Sequence, residues 1–425
     1  MREMKDSGIE WIGAIPAAWG VHRIASHFQE IKEKNTANAY SNALQFKMGK
    51  IIAKPQKWNE DETNETYSAY TVVHPNTIMI NGLNLEFDFV TQRVARVECN
   101  GIITSAYIAL SPRDDINAEY ICYLLKSYDA CRAFHSMGRG LRKILSYNEL
   151  KNKPIVVPPL AEQERIAAFL DAECAEIDAV LEKTRASIEE YKKLKQAVIT
   201  QAVTKGVRGD RPMKDSGIEW IGDIPAEWKV NLIKNVATTG SGGTPESGNP
   251  SLYDGDINWI CSYDLKERPI TKSERRLTQL GADSIAGNVQ LKGSVLVAMY
   301  GGSGTIGNSG ILECEAKTNQ AICSIKFDNG YITDYFGFYY ILSIRKYWMI
   351  FAVGTRKDPN ISQDIVRKMP CILPPIAEQE EIVAYCNKAC EQLDTLITKK
   401  QQYLTEIENY KKSLIYEYVT GKREV

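Results

Sequence analysis

The chain has 425 residues, 44% hydrophobic and 25% charged, with a formal net charge of −1. That length exceeds what one core supports and predicts two or three globular domains. No apolar run is long enough for a bilayer span, "MREMKDSG" lacks the apolar core of a secretory leader, and ten cysteines without a C-x-x-C pair argue against a zinc framework. Scattered free thiols fit a reducing cytoplasm.

The first feature along the chain is Met4–Trp19, "MKDSGIEWIGAIPAAW". It returns at Met213–Trp228 as "MKDSGIEWIGDIPAEW", with Ala14 and Ala18 replaced by Asp223 and Glu227. Further on, "VPPLAEQERIAAFLD" (Val157–Asp171) returns as "LPPIAEQEEIVAYCN" (Leu373–Asn387), and Ala197–Thr204 returns as Ser413–Thr420. The offset grows from 209 to 216, so the second copy is seven residues longer between its two motifs. A repeat this large predicts two copies of one domain rather than a solenoid. The expected division is a globular head at 1–157, a helix at 158–206, a second head at 207–373, and a second helix with its tail at 374–425.

Both long segments read as helices. Pro159 and Pro375 suit a first turn, Glu162, Glu164, Glu378 and Glu380 complement the positive dipole end, and Gly206 and Gly421 provide stops. A heptad seam is predicted through Ile166, Leu170, Glu173, Ile177, Val180, Thr184, Ser187, Tyr191, Leu194 and Val198. Its repeat runs through Ile382, Cys386, Ala389, Leu393, Leu396, Lys400, Tyr403, Ile407, Tyr410 and Leu414. About 45 residues per helix gives roughly 65–70 Å. Antiparallel packing would return the chain to its start and create a pseudo-twofold axis. The repeated Met4–Trp19 and Met213–Trp228 motif would then be a doorway, marking each entry from a helix end into a head. A register opposing Glu173 to Lys400, Thr184 to Ala389 and Ile177 to Leu396 follows from the seam.

The heads share a frame with differing contents. "GIITSAY" (Gly101–Tyr107) aligns with "AKTNQAI" (Ala316–Ile322), "GLRK" (Gly140–Lys143) with "GTRK" (Gly354–Lys357), and "KPIVVPP" (Lys153–Pro159) with "MPCILPP" (Met369–Pro375). Charge is segregated: Arg132–Lys153 holds six basic residues against Glu149, and Arg345–Lys368 holds six against two acidic ones. Ala161–Leu194, on the first helix, holds nine acidic and five basic residues. Basic heads on an acidic coil suggest a polyanion, and basic residues beside glycines in "MGRGLRK" permit close approach to phosphates.

The doubled "PPLAEQERI" and "PPIAEQEEI" helix entries and the "IPAAW" and "IPAEW" domain starts are highly specific in combination. "GGTP" (Gly242–Pro245), "INWICSYDL" (Ile257–Leu265), "TNQAI" and the paired G-x-R-K loops belong to the same pattern. Over nearly its whole length the chain resembles the specificity subunits of type I restriction–modification systems. That resemblance implies an α+β architecture: two mixed α/β target recognition domains separated by two long antiparallel coiled-coil helices in a pseudo-twofold tandem repeat. It implies a non-catalytic, cytoplasmic, sequence-specific DNA-binding subunit that reads an asymmetric gapped site with one domain per half-site. Double-stranded DNA, two methyltransferase subunits docked on the helices, and restriction/translocase subunits are the implied partners. S-adenosylmethionine, ATP and Mg are implied only in those partners, which would flip the target adenine. Contact centres about one helical turn apart, roughly 34–36 Å, are expected on the duplex.

The residues agree with a non-catalytic chain. No [DNS]-P-P-[FYW] methyltransferase motif and no Walker A motif occurs. Gly302–Gly307, "GSGTIG", fits a dinucleotide fingerprint only if a helix opens there, and the turn-rich "NSGILECEAKTNQA" that follows reads instead as strands and turns. Glu315 and Lys317 form an isolated E-x-K.

Base edges are read by Arg, Lys, Asn, Gln, Ser and Thr, and phosphates by Arg, Lys and backbone amides. On that basis Asn81, Asn84, Gln92, Arg93, Thr104 and Ser105 are the base-reading candidates of the first head. Arg139, Arg142 and Lys143 are its backbone contacts. In the second head Thr244, Ser262, Asp264, Asn319 and Gln320 are expected near bases, with Arg356 and Lys357 on phosphates. The asparagines also suit turns, and Asp264 a helix cap. A stand-alone regulator of a bipartite operator is the alternative, and the helix faces left over for partners argue against it.

Overall fold

The computed structural model describes residues 2–47, 49–55, 66–89, 91–138, 143–301, 304–354 and 359–425. The chain folds as two compact units, Met1–Arg185 with Gln402–Val425, and Ala186–Gln401. Each holds one head and the head-proximal part of both long helices.

The first head is built on a four-stranded antiparallel sheet in the order Phe28–Glu30, Ile108–Pro112, Ile78–Ile80, Val94–Arg96. The helix Ala118–Ala130 covers one face, capped by Asn117, whose side chain accepts from the Glu119 and Tyr120 amides. Two small additions carry the head outward: Thr71–Val73 paired with Gly101–Ile103, and the hairpin Leu44–Lys47/Lys50–Ala53. The second head has a five-stranded sheet in the order Ala237–Ser241, Ile322–Phe327, Val295–Ala298, Ser309–Leu312, Arg268–Ile270, its last pairing parallel. A three-stranded layer, Arg276–Leu277, Tyr253–Ile260 and Lys317–Thr318, projects from it. This mixed pairing matches the expected α+β class.

The duplicated motifs form a joint between head and helix. Residues Met4–Asp6 pair with Ala14–Pro16, and Met213–Asp215 pair identically with Asp223–Pro225. Each hairpin aims its tryptophan at a helix entry. The Trp19 indole donates to Glu162 at 3.1 Å, and the Trp228 indole to Glu378 at 3.0 Å. The neighbouring glutamine is buried in both copies. Gln163 donates to the Pro158 carbonyl at 2.9 Å and accepts from the Asn117 amide at 2.9 Å, while Gln379 donates to Pro374 at 2.9 Å and accepts from Thr333 at 2.8 Å. Pro-Pro-x-x-Glu-Gln therefore satisfies backbone groups that a strand-to-helix corner would otherwise leave buried and unpaired.

The helices run from Leu160 to Lys205 (46 residues) and from Ile376 to Val419 (44 residues), so Pro159 and Pro375 precede rather than open them. At 1.5 Å per residue they are roughly 69 and 66 Å long. Gly206 and Gly421 stop them in the left-handed region, at φ of 77° and 70°. In each unit the two helices are antiparallel. Asp178 pairs with Lys411 at 2.6 Å and Arg185 with Glu408 at 2.5 Å in the first; Lys195 pairs with Asp394 at 2.7 Å in the second. Lys411 and Asp178 lie 216 positions after Lys195 and before Asp394, so one ion pair is written twice with the helices exchanged. The same local pairing thus recurs inside each unit.

The expected register is overturned. Asp178 meets Lys411, sixteen residues beyond the Thr395 that the predicted register would place opposite it, and Lys400 lies 5.7 Å over the Tyr191 ring instead of facing Glu173. The Thr184–Ala389 and Ile177–Leu396 pairings fall with it. Burying the helix ends in the cores fixes the register, and one ion pair cannot compete with that. Leu414, Ile415, Tyr418 and Val419 join the first core, as Ile199, Ala202 and Val203 join the second.

The seam keeps its heptad but moves by one residue at alternate positions. Ile166, Leu170, Leu393 and Leu414 are buried, and Ile177, Tyr191 and Ile407 half-buried, as expected. Val180, Leu194, Leu396, Tyr403 and Tyr410 are exposed; Leu181 and Ile397 are buried beside Val180 and Leu396, as Ile188 and Cys390 are beside the predicted seam positions Ser187 and Ala389. The reason is spacing: Ile177 to Leu181 is four residues, and Leu181 to Thr184 three, the opposite order to that predicted. A 3.5-residue repeat admits both orders, and burying both Leu181 and Ile188, at about 1.5–3 kcal/mol each, decides between them.

The second helix end returns to the first doorway. Tyr416 donates to the carbonyls of Trp11 and Ile12 at 3.2 and 3.1 Å, and Lys422 donates to Ile12 at 2.9 Å and to Ala14. Lys205 makes the matching contacts to Ile221 and Asp223 in the second unit. No helix of the described residues is long and apolar enough to cross a membrane.

Candidate nucleic-acid interface

The outer loops of the second head hang on one strand. From Tyr253–Ile260, Trp259 donates its indole N–H to the Gly243 carbonyl at 3.2 Å, and the Ile260 carbonyl accepts from the Asn319 amide at 3.0 Å. Gly242 approaches so closely that an added Cβ would lie 1.7 Å from the Thr318 carbonyl oxygen. This is why "SGG" is required there. These contacts draw three predicted segments together. Exposed Thr244 donates to Gln320 at 2.6 Å, and Ser262 and Asp264 occupy the turn that follows the strand. Asp264 accepts from the Cys261 amide at 2.8 Å, so its first role is the cap; burial raises its carboxyl pKa. Asn319 accepts from the Ala321 amide at 3.2 Å and is a turn former. Arg356 and Lys357 lie outside the described residues.

Two residues of this surface escaped the sequence reading. Tyr263 is 48% exposed at the middle of the turn, and the Arg275 guanidinium lies 5.4 Å from its ring centroid. "SYD" and "SERRL" gave a signal, an aromatic and paired arginines on facing segments, but only the fold joins them.

In the first head, Ser105 is the centre. It donates to the Ala69 carbonyl at 2.7 Å and accepts from Thr71 and from Lys34, whose amino group is thereby fixed at the head's rim. Thr104 accepts from the Ala106 amide and shapes the turn. The Phe46–Tyr107 ring contact at 5.7 Å ties this turn to the hairpin bearing exposed Lys47 and Lys50, and exposed Gln92 packs beside Gly49. Lys54 lies 6.0 Å over Tyr70. Lys34, Lys47, Lys50 and Lys54 went unpredicted because their stretch has no counterpart in the second half.

Arg93 is a correction. It is fully buried, and its guanidinium donates to the carbonyls of Asn81, Leu83 and Asp88 at 3.1, 2.7 and 2.6 Å. It folds the loop from within and cannot read a base. Asn81 accepts from the Leu83 amide at 3.1 Å, and Asn84 stands at φ 54°, so both serve the turn. The loop they shape presents Phe87 and Phe89, 78% and 54% exposed, with Phe89 stacked on His135 at 5.0 Å. Lys143 is exposed at φ 37°, while Arg139 and Arg142 lie outside the described residues.

The dinucleotide reading of "GSGTIG" does not survive. Its flanks are antiparallel strands, Val295 facing Ile311, and the described residues 304–307 form a turn rather than the start of a helix. Residues 302–303 of that segment lie outside the described residues. Lys317 is buried and donates to the Gly287 carbonyl, which separates it from exposed Glu315. Among the described residues no cluster of His, Cys, Asp or Glu could hold a metal ion.

The pattern of the type I restriction modification DNA specificity domain matches residues 97–190 and 225–409. The chain belongs to that family. The type I restriction enzyme MjaVIII specificity subunit of Methanocaldococcus jannaschii is 24% identical, covering 97% of this chain and 94% of its own length. The putative type I restriction enzyme MjaX specificity subunit of the same organism is 22% identical over 97% and 96%. A solved chain described under complex assembly and conformational transition of the type I R-M system superposes with a TM-score of 0.71 at 15% identity, covering 96% of this chain and 99% of that one. Two heads and two long helices are therefore the architecture this specificity chain shares with a solved type I relative. Its matched segments contain Thr104, Ser105, Thr244, Tyr263, Arg275 and Gln320.

Proposed function

We propose that this specificity-family chain is the non-catalytic DNA-recognition subunit of a type I restriction–modification complex. Each head reads one half of an asymmetric bipartite target, and helix length sets the unread spacer. The observation that carries this reading is a duplicated frame with unlike outer loops. The joints, the doorways and the Lys–Asp pairs are the same in both copies. The Ser105–Lys34 corner and the Thr244–Gln320 and Tyr263–Arg275 loops are not. Two unlike readers on one scaffold suit two unlike half-sites. Methyltransferase subunits dock on the helices, where Leu396, Tyr403 and Tyr410 repeat every seven residues at 42%, 49% and 54% exposure. Val180 and Leu194 are the corresponding exposed positions of the first helix. An apolar row at heptad spacing suits a partner helix. S-adenosylmethionine, ATP and Mg belong to the partners.

The test is long-read methylome sequencing of a methylation-free host that expresses the chain with its modification subunit. A gapped, asymmetric motif with methyladenine on both strands is expected. A soluble complex that leaves no motif refutes the proposal.

A further inference from the structure

The Tyr263–Arg275 pair is built in advance of any ligand. Tyr263 occupies the turn Ser262–Asp264, which is closed by the Asp264 cap and by the Asp264 amide donating to the Cys261 carbonyl at 2.9 Å. Buried Cys261 and Leu265 anchor the turn on either side. The backbone of Arg275 is equally fixed. Its carbonyl accepts from the Trp259 amide at 3.2 Å and from the Ser273 hydroxyl, and Arg276 beside it is in a strand register with Asn258. The guanidinium lies over the exposed ring, and among the described residues Arg275 makes no ion pair. A stacked guanidinium has lost its rotamer freedom already while its N–H fork stays open, which lowers the entropy cost of a bidentate contact.

We infer that Arg275, held on Tyr263, reads a guanine in the half-site of the second head, donating two hydrogen bonds to its O6 and N7. This rests on the DNA-recognition reading above. Charge balance suits a base better than a phosphate. Asp264 and Glu274 offset Arg275 and Lys266 around the turn, so the site is no cationic cluster for a phosphate, while the neutral acceptors of guanine meet a single open guanidinium fork. The neighbouring Thr244–Gln320 pair supplies a hydroxyl and an amide, both base-reading groups and neither of them cationic.

The experiment compares the full chain with Arg275→Ala and Tyr263→Leu, each co-expressed with the modification subunit. It reads the methylome and the binding of a randomised set of half-sites. For Arg275→Ala, discrimination at one G·C position of the second half-site falls about 5- to 150-fold, and the first half-site is untouched. Tyr263→Leu gives a smaller loss at the same position, because the fork remains but is no longer held. Both residues are exposed, so thermal unfolding should be unchanged and folding does not confound the result. Equal weakening on all sequences with a shallower salt dependence would mean a phosphate contact and overturn the assignment. So would unchanged specificity in Arg275→Ala while the unsubstituted complex still marks a bipartite site. If the unsubstituted complex marks no site, the DNA-recognition reading fails as well, and the two failures are told apart by that control.

Discussion

Removing the carboxylate of Glu378 should unfold the second unit more readily than removing Glu162 unfolds the first, although both belong to the same motif. Glu378 is fully buried and accepts from the Trp228 indole at 3.0 Å, with Arg211 Nη2 2.6 Å away at 12% side-chain exposure. Glu162 is 14% exposed, and its cation Arg2 is 30% exposed with a second partner in Glu424. Breaking a buried pair costs about 3–5 kcal/mol. Arg211 keeps Glu227 at 3.1 Å and the Lys205 carbonyl at 3.0 Å, which holds Glu378→Ala to about 3–4 kcal/mol. For Glu162→Ala the loss is chiefly the indole's hydrogen bond to a charged acceptor, about 2 kcal/mol. In units of this size those values correspond to roughly 6–16 °C and 4–8 °C in Tm. Calorimetry with hydrogen-exchange mass spectrometry measures both size and place. Glu378→Ala should deprotect residues 223–236, and Glu162→Ala residues 14–27. A shift for Glu162→Ala equal to or larger than that for Glu378→Ala would refute the ranking by burial.

Leu181→Ala and Ile397→Ala should each cost about 2–5 kcal/mol in chemical denaturation, while Val180→Ala and Leu396→Ala stay within about 0.5 kcal/mol; equal costs would restore the originally predicted seam. Arg93→Lys should lower stability by about 3 kcal/mol through unpaired carbonyls yet leave half-site discrimination intact in whatever protein folds, and altered discrimination would return Arg93 to the interface. Glu119 faces Arg96 at 2.9 Å, but burial and then Asp171 raise its carboxyl pKa, so it resists ionisation in the fold. Its penalty is absent below the carboxyl's unfolded value and grows until pH passes the raised folded one, so Glu119→Gln should gain over the unsubstituted chain as pH rises through that window; a gain only at low pH would reverse the sign. A permutant joining Val425 to Met1 and opened at 206–210 should fold, since Tyr416 and Lys422 already tie the second helix end to the first doorway. Loss of its circular dichroism signal would refute the closure.

Repetition made the frame legible. Two copies of a motif can be compared within one chain, so the helix bounds were readable to within about two residues. The seam was half readable: 177, 184 and 191 are common to both orders of three and four, and only packing chooses Leu181 over Val180. The register was not readable, because it depends on where helix ends meet cores that the sequence does not locate. Among site residues the same rule holds. Thr244 and Gln320, singled out because "GGTP" and "TNQ" occupy frame positions, are brought into contact by the fold. Arg93 was misread because an arginine among asparagines looks the same in sequence whether its fork faces carbonyls or solvent. Tyr263 and Arg275 went unseen because their pairing crosses twelve residues and exists only once Tyr253–Ile260 and Arg276–Leu277 are side by side.

The doubled doorway then has a physical reason. A chain that enters a head from the end of a long helix must turn sharply, pair its first strands, and still fix the helix that leaves the head. One tryptophan–glutamate contact does both, since the indole comes from the entry hairpin and the carboxylate from the exit helix. The demand arises wherever a head is inserted into the coil, independent of what the head reads. It arises twice here, so the joint is held nearly constant while the loops beyond it diverge. The same logic covers the Lys195–Asp394 and Lys411–Asp178 pairs. Exposed pairs contribute only about 0.2–1 kcal/mol each, so stability alone gives little reason to keep both. Their value is geometric: each ties the outgoing stretch of one helix to the incoming stretch of the other beside its own head, which holds helix orientation constant while the outer loops of the heads differ.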